Sequence, residues 1–491
     1  MKNPIKNSFY GALGFLFPTA VSLATTPYIL HKLTPEVYGI YVLAISLMGL
    51  MSFLDLGFGQ GIIKFVSQYE ASRNYERINR IISTSFVIYF IMGLVGALII
   101  FFFSDIFAIK IFKLSGARKS IGINAFRIVS VGFLLSFISG LFSSIPKALQ
   151  RYDVAVKVQN AIWFASVMTS ILLLYLGRGL VEILIGYSIC QFIGVVVYAY
   201  ISKAILSSLK FDFGFDKSVF KEIFGFSIFV SLNVISGNIV TRLDKMIVSY
   251  FLGTSAVSFY TIPFNLASMV SSLVGNSNQF IFPAISNLNS KRNESQIKYY
   301  FMRALDYTAL ISTFLMTIFI IFSDRFIYAW LGKDFAENTY HLAPIFGFTF
   351  FFSCLSSVSL WYYTALNRTH INLISSLVGS ASYLVAILLL IPLFGLKGAA
   401  FSFMFILLPF PIYNFYISKI VGIKFKEYIS KILPYILLTL LPFVYVMFWN
   451  GRDLLKDFMV SITLLLITFL IKRELILGLA SKIGELRVKS V

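Results

Sequence analysis

Charge is scarce in this chain, and so are the residues that usually do chemistry. Only 13% of its 491 residues are charged, against about 25% in soluble globular domains. The two cysteines, Cys190 and Cys354, stand far apart and in no Cys-x-x-Cys pattern, so neither a disulfide framework nor a metal knuckle is indicated. His31, His341 and His370 share no ligand spacing, which leaves a histidine metal centre without support. The phosphate-cradling pattern G-x-x-x-x-G-K-[ST] is missing: Gly332-Lys333 runs into Asp334, and ATP use is unsupported. Loops are short, none much beyond roughly eighteen residues, well below the ~50 residues of a folded extramembrane domain. With no catalytic loop and no carboxylate cluster, the chain does not read as an enzyme.

What it has in abundance is apolar sequence. Hydrophobic residues make up 58% of the chain and mean hydropathy is +0.85. Stretches of ~20 apolar residues, each long enough for one helical crossing, recur fourteen times between 8–30 and 457–474. The first reads as an uncleaved anchor, because Met1–Asn7 leads into too long a run with no small-residue cleavage site. The net charge of +20 follows from topology rather than from nucleic acid. With both termini placed in the cytoplasm, 27 of the 41 Lys and Arg residues fall in inner segments, 11 in outer ones and 3 within spans, as the positive-inside rule requires. One outer segment departs from the rule, with Lys110, Lys113, Arg118 and Lys119 between spans three and four. An amphipathic stretch on the outer leaflet explains it, and a substrate-facing role is the other reading.

The chain also repeats itself. Ala148-Leu149-Gln150-Arg151 answers Ala365-Leu366-Asn367-Arg368, and Ile171-Leu172-Leu173-Leu174 answers Ile387-Leu388-Leu389-Leu390. Leu33…Tyr41 pairs with Leu252…Tyr260, and Arg73-Asn74 with Arg292-Asn293, all at shifts of 216 to 219 residues. Six helices per half return the chain to its starting side, so the halves are related by an axis along the membrane normal, as in some secondary transporters. The expected architecture is an all-α polytopic membrane protein of about 14 transmembrane helices: two six-helix bundles in pseudo-twofold relation around a central cavity, plus two extra C-terminal helices. The expected boundaries are 1–205 for the first bundle, 206–221 for a cytoplasmic connector, 222–420 for the second bundle, and 421–491 for the added helices and basic tail.

Charges inside spans cost at least ~2.5–3.5 kcal/mol each, so the few that occur are the candidate site. Arg242 and Lys245 are three apart and share a helix face. Asp244 either neutralises Lys245 in a self-contained cluster or balances charge in a cavity. Arg127 has no acid nearby in sequence; it either lines the cavity or snorkels to the outer surface. Asp55, in Leu54-Asp55-Leu56-Gly57, is a lone carboxylate that can pair with a cavity Arg, cap a helix or titrate as a coupling site. Asp306 follows Arg303 by three, the spacing of an interfacial ion pair. Gly57-x-Gly59-x-Gly61 is read as close helix packing rather than a nucleotide loop. Amides at Gln60, Gln159, Asn160, Asn233, Asn238, Asn265, Asn276, Asn278 and Gln279 suit sugar hydroxyls or interhelical hydrogen bonds equally well.

These residues carry a resemblance. Leu33-Thr34-Pro35-Glu36-Val37-Tyr38-Gly39-Ile40-Tyr41 with Leu54-Asp55-Leu56-Gly57 resembles the second-span signature of bacterial polysaccharide exporters. So do Ala148-Leu149-Gln150-Arg151-Tyr152-Asp153 and Leu243-Asp244-Lys245-Met246-Ile247-Val248, the latter ahead of Phe251-Leu252-Gly253 and Tyr260. Over its full length the chain looks like a Wzx-type O-antigen flippase of the multidrug/oligosaccharidyl-lipid/polysaccharide (MOP) exporter superfamily, which is MATE-like in fold. The resemblance implies a protein of the bacterial plasma membrane that moves undecaprenyl-pyrophosphate-linked oligosaccharide from the inner to the outer leaflet by alternating access. H⁺ or Na⁺ would drive it, with no bound cofactor, and polymerase machinery is an expected associate. Arg127, Arg242 and Lys245 would hold the anionic headgroup, while Asp55 and Asp244 balance charge or couple ions. The alternatives are a cation-coupled drug exporter, which should favour acids over cations at depth, and a flippase for peptidoglycan or teichoic precursors.

Overall fold

A computed structural model describes residues 4–209, 214–291, 293–448 and 453–471. Lys2, Lys210, Arg292 and the basic tail from Lys472 lie outside the described residues, as do the side chains of Lys6, Asn233 and Asn238. Among the described residues every regular element is a helix. Ten helical stretches are long and apolar enough to cross a membrane.

Two compact units divide the chain: Met1–Thr261 with Ile387–Leu396, and Ile262–Ala386 with Lys397–Val491. The first holds α1 (Pro4–Met51), α2 (Phe58–Ala71), α3 (Tyr75–Phe102), α4 (Ala117–Ala148), α5 (Tyr152–Tyr175), α6 (Leu180–Ile205) and α7 (Lys217–Leu252). It also takes the start of α8 (Thr254–Ser277). Helix α7, which the sequence repeat assigns to the second half, packs on α1 and α2 of the first unit. Gly61 makes room for it: a Cβ there would stand 2.6 Å from Ser227 Oγ. Asp216 caps α7, accepting from the backbone N–H of Ser218 at 2.8 Å. Its pKa is held below the usual carboxylate range by the Ser218 hydroxyl and those N–H groups, with Arg77 adding to them. Arg77 also pairs with Glu222 at 2.8 Å, which fastens the start of α7 to α3.

Helix α1 is two helices joined at a kink. Thr34 leaves the helical region (φ 66°, ψ 156°), and Pro35, which lacks an N–H, opens the next helix where that donor would be orphaned anyway. The new helix presses on the start of α8. Ser258 Oγ donates to the Pro35 carbonyl at 2.5 Å, and a Cβ on Gly39 would stand 2.0 Å from the Thr254 carbonyl oxygen. Gly39→Val is therefore expected to cost about 1–3 kcal/mol, the usual penalty of overpacking. It should be read as a lower thermal midpoint of the purified protein, and an unchanged midpoint would mean the two helix starts do not meet.

The second unit is built on α9 (Ile281–Ser290), α10 (Glu294–Leu331), the short α11 (Lys333–Thr339), α12 (Leu342–Ala365), most of α13 (Thr369–Phe403), α14 (Phe410–Ile420), α15 (Phe425–Phe448) and α16 (Leu454–Ile471). Phe301, Leu305, Val358, Tyr362, Tyr428 and Ile432 form one buried cluster across α10, α12 and α15. The first of the added C-terminal helices, α15, is thus part of this unit's core, and polar ties fasten both. Asp306 pairs with Lys431 at 3.0 Å and accepts from the Tyr435 hydroxyl. The expected Asp306–Arg303 pair is replaced by this one, because Asp306 points inward to α15 while Arg303 lies exposed beside Tyr299 and Tyr307. Near the far end of α10, Arg325 grips Asp457 of α16 at 2.6 Å, and Tyr445 of α15 donates to the same carboxylate at 2.8 Å.

The internal repeat is written into the backbone. Positive-φ residues recur as Thr34 and Gly253, Gly116 and Gly332, Gln150 and Asn367, and Gly177 and Gly395. Those pairs are 219, 216, 217 and 218 residues apart. Each half also breaks a span with a short 3₁₀ turn, Ser52–Asp55 ahead of α2 and Asn278–Phe280 ahead of α9, the second about two turns further along in the repeat. Interrupted helices at matching places in two halves are the usual marker of a transporter's binding region.

Candidate functional site

The first break assembles a polar site within the first unit. After Met51 the chain tightens into the 3₁₀ turn and then passes through two left-handed residues, Leu56 (φ 45°) and Gly57 (φ 72°), before α2 begins. Gly57 supplies the conformation that most side chains resist. The glycine series does more than pack helices, because it also turns the chain so that α2 starts beside Asp55. Backbone N–H groups of Gly57 and Gly59 bond the Asp55 carboxylate, and Tyr89 of α3 donates its hydroxyl to the same group. Ser144 of α4 lies against Gly59. All three partners of Asp55 are hydrogen donors, an arrangement that holds a carboxylate in place.

The second element of the site is α7. Asp244 is fully buried and Lys245 is 5% exposed. Lys245 Nζ lies 3.2 Å from Asp244 Oδ1, and the Tyr260 hydroxyl donates to Oδ2 at 3.3 Å. The two charges pair with each other, and the Asp244 carboxylate also attracts Arg242 on the same helix. Arg242, nearly a full turn earlier, is different. Among the described residues it forms no ion pair, and its Nε is buried with no hydrogen-bond partner. Its guanidinium lies against Gly49 of α1, where a Cβ would stand 2.5 Å from Nε. Gly49 precedes Asp55 by six residues, ~9 Å along a helix, so Arg242 and Asp55 both sit against the last turns of α1, the wall of the candidate site.

Arg127 stands apart from this wall. It bonds Asp105 at 3.0 Å and Ser104 at 3.2 Å, lies over the Phe101 ring, and keeps a side chain 43% exposed. That is the snorkelling geometry, and it arises because the end of α3 brings Ser104 and Asp105 alongside α4. In the basic outer segment, Ile106–Ile111 forms a wide helical turn; Ala108, Phe112 and Leu114 are buried while Lys110, Arg118 and Lys119 are exposed. Lys113 covers the Tyr250 ring at 4.0 Å.

In the second unit the counterpart site is neutral. Asn278 donates to Ser357 at 2.7 Å and accepts from Thr308 at 3.0 Å. Tyr89 and Thr308, which reach the two breaks, are themselves 219 residues apart. Gln60, Asn265, Asn276 and Gln279 are exposed. His341, at the start of α12, has its pKa pushed down to about 4 by burial, with Lys397 adding to the effect. It is therefore neutral at physiological pH. No group of three potential metal ligands gathers among the described residues.

Known proteins share this plan. The profile of a family described as "Polysaccharide biosynthesis protein" matches residues 32–340. A Shigella flexneri protein named "Putative O-antigen transporter" is 23% identical over 400 residues, 81% of this chain and 93% of its own. In structure the chain resembles the lipid II flippase MurJ in an inward closed conformation, with a TM-score of 0.69 at 17% identity, over 95% of this chain and 99% of that one. An inward-facing multidrug resistance MATE family transporter of the MOP superfamily gives 0.69 at 12% identity, over 89% and 96%.

Proposed function

The chain belongs to the polysaccharide biosynthesis protein family, and from that premise we propose that it is a flippase for lipid-linked oligosaccharide. It carries undecaprenyl-pyrophosphate-linked repeat units from the inner to the outer leaflet of the bacterial plasma membrane, for O-antigen or capsule synthesis. The observation that carries this reading is Arg242, a guanidinium at membrane depth whose buried Nε has no hydrogen-bond partner among the described residues. Leaving such a donor unmatched costs about 1–3 kcal/mol or more. A ligand that brings paired phosphate oxygens repays it, since guanidinium and phosphate meet as a two-pronged match. The names of the Shigella relative and of the MurJ neighbour point the same way.

Asp244 and Lys245 serve this site by fixing α7, so that the binding role predicted for Lys245 passes to Arg242. Asp55 is the coupling group, and of H⁺ and Na⁺ the proton is the better fit. The Gly57 and Gly59 N–H groups give a sodium ion no converging oxygens, while the Tyr89 hydroxyl, which donates to the carboxylate, can turn to accept from the protonated acid. A drug exporter of the same superfamily would take organic cations, which Arg242 repels.

The test is reconstitution in vesicles with a fluorescent prenyl-pyrophosphate oligosaccharide, read by accessibility of the sugar from outside. A pH gradient is expected to accelerate transfer. Asp55→Asn should hold transfer at the rate seen without a gradient. An Asp55→Asn protein still driven by the gradient would remove Asp55 from coupling, and no transfer by the parent under any gradient would remove the flippase reading.

A further inference from the structure

The segment joining α3 to α4 carries charge that transport at Arg242 leaves unused. Lys110, Lys113, Arg118 and Lys119 fall close together, on what the charge distribution makes the outer side, where lysine and arginine are ordinarily scarce. Arg118 and Lys119 also occupy the first turn of α4, the end of a helix that disfavours positive charge. Residues 106–120 hold no acid to offset them. Positive charge is placed here against two local costs.

The cations stand on a packed platform. Phe112 lies against Phe126 of α4, with ring centroids 5.5 Å apart. Leu114 closes over Gly122, where a Cβ would stand 2.2 Å from its Cδ1, and its N–H donates to the Ala108 carbonyl at 2.8 Å. With these apolar residues turned onto α4, all four cations are held out and exposed. Two of them are engaged: Lys113 covers the Tyr250 ring, and Arg118 attracts Glu36. Lys110 and Lys119 have no ion pair or hydrogen bond among the described residues.

Depth selects the occupant. Helix α4 has 32 residues, about 48 Å by its rise, against a hydrocarbon core of ~30 Å. Centred on that core it leaves about 9 Å at each end, so Arg118 and Lys119 reach headgroup level. Phe102, Phe103, Ile106 and Ile109, which precede Lys110 in the chain, are exposed. In a membrane-spanning unit they meet acyl chains. A soluble acidic partner would have to cover these side chains and the cations together, whereas a phospholipid brings tails and a phosphate in that order.

We propose that this segment binds anionic phospholipid of the outer leaflet, with Lys110 and Lys119 taking the phosphates. The site is separate from the Arg242 wall and does not depend on what is transported.

Ile109 can report on the lipid beside it. Cys190→Ser and Cys354→Ser remove the two native cysteines, and Ile109→Cys in that full chain is labelled with bimane. The protein is placed in phosphatidylcholine nanodiscs containing brominated phosphatidylglycerol or, at the same fraction, brominated phosphatidylcholine. The anionic quencher should act like about a five-fold higher fraction of the neutral one, the preference one basic residue confers near an anionic surface. Lys110→Gln with Lys119→Gln should bring the two quenchers level. Ile189→Cys, labelled on the lipid-facing side of α6, should show no preference. Equal quenching at position 109 in the parent would overturn the proposal, as would a preference that survives the double lysine change or is as strong at position 189. Quenching by aqueous iodide with none by either lipid would place the segment above the membrane and sink it too. Loss of the preference on adding undecaprenyl phosphate at a tenth of the phosphatidylglycerol fraction would hand the cations to the transported lipid instead.

Discussion

Lys245→Ala is expected to destabilise the protein by about 3–5 kcal/mol, the cost of stranding a buried charge. Its partner Asp244 has no exposed surface. Apart from the Lys245 ammonium, it accepts from the Lys245 backbone N–H at 2.6 Å and from the Tyr260 hydroxyl at 3.3 Å. Truncating Lys245 leaves the carboxylate with neutral donors alone in hydrogen-bond reach among the described residues, in a low-dielectric setting, so it must take up a proton or break the packing of α7. Removing both charges, as in Asp244→Asn with Lys245→Met, should recover most of the loss, because an ion pair replaced by neutral groups of similar size is often near neutral. Thermal unfolding in detergent of the parent, both single variants and the double variant gives the coupling directly. If Lys245→Ala melts with the parent, the pair is not the fastening inferred from its geometry.

Arg242→Ala should have the opposite signature. Transfer of the lipid-linked substrate is expected to fall about ten- to a hundredfold, the worth of 1.5–3 kcal/mol from hydrogen bonds to a charged group. Stability should hold or rise, since the change deletes a buried donor that has no partner. Loss of function with gain of stability is what separates a ligand-binding group from a structural one. Arg242→Lys keeps the charge and loses the two-pronged fit, so intermediate transfer is expected. Gly49→Ala tests the seat without touching the charge: its Cβ would stand 2.5 Å from Nε and push the guanidinium aside. Full transfer by Arg242→Ala would end the argument for this wall.

Sequence pattern gave the membrane class and the two-fold repeat, because hydropathy and period are local or additive properties. It did not separate Arg242 from Lys245. Their spacing puts both on one face, yet a long lysine stem folds back on the adjacent Asp244 while the guanidinium slides over Gly49. Only the neighbouring helix decides between those outcomes. Arg127 was open for the same reason: Asp105, its partner, precedes it by 22 residues, across the turn between α3 and α4. Tyr89 was not found at all, since nothing local links it to a carboxylate 34 residues away. The left-handed Leu56-Gly57 turn leaves a trace in the glycine series, though glycines in an apolar run serve packing equally often. The inward face of Asp306 likewise depends on α15, more than a hundred residues downstream.

The paired helix interruptions differ in one respect that governs energetics. Asp55 stands at the first and Asn278 at the second, so the duplicated interruption has an acid in one copy and an amide in the other. An amide cannot gain or lose a proton near neutrality, so Asn278 itself offers a gradient nothing to titrate. If Asp55 is the coupling group, the machine has a single-stroke engine in a double-cylinder frame: one proton per turnover, whatever the length of the glycan it lifts.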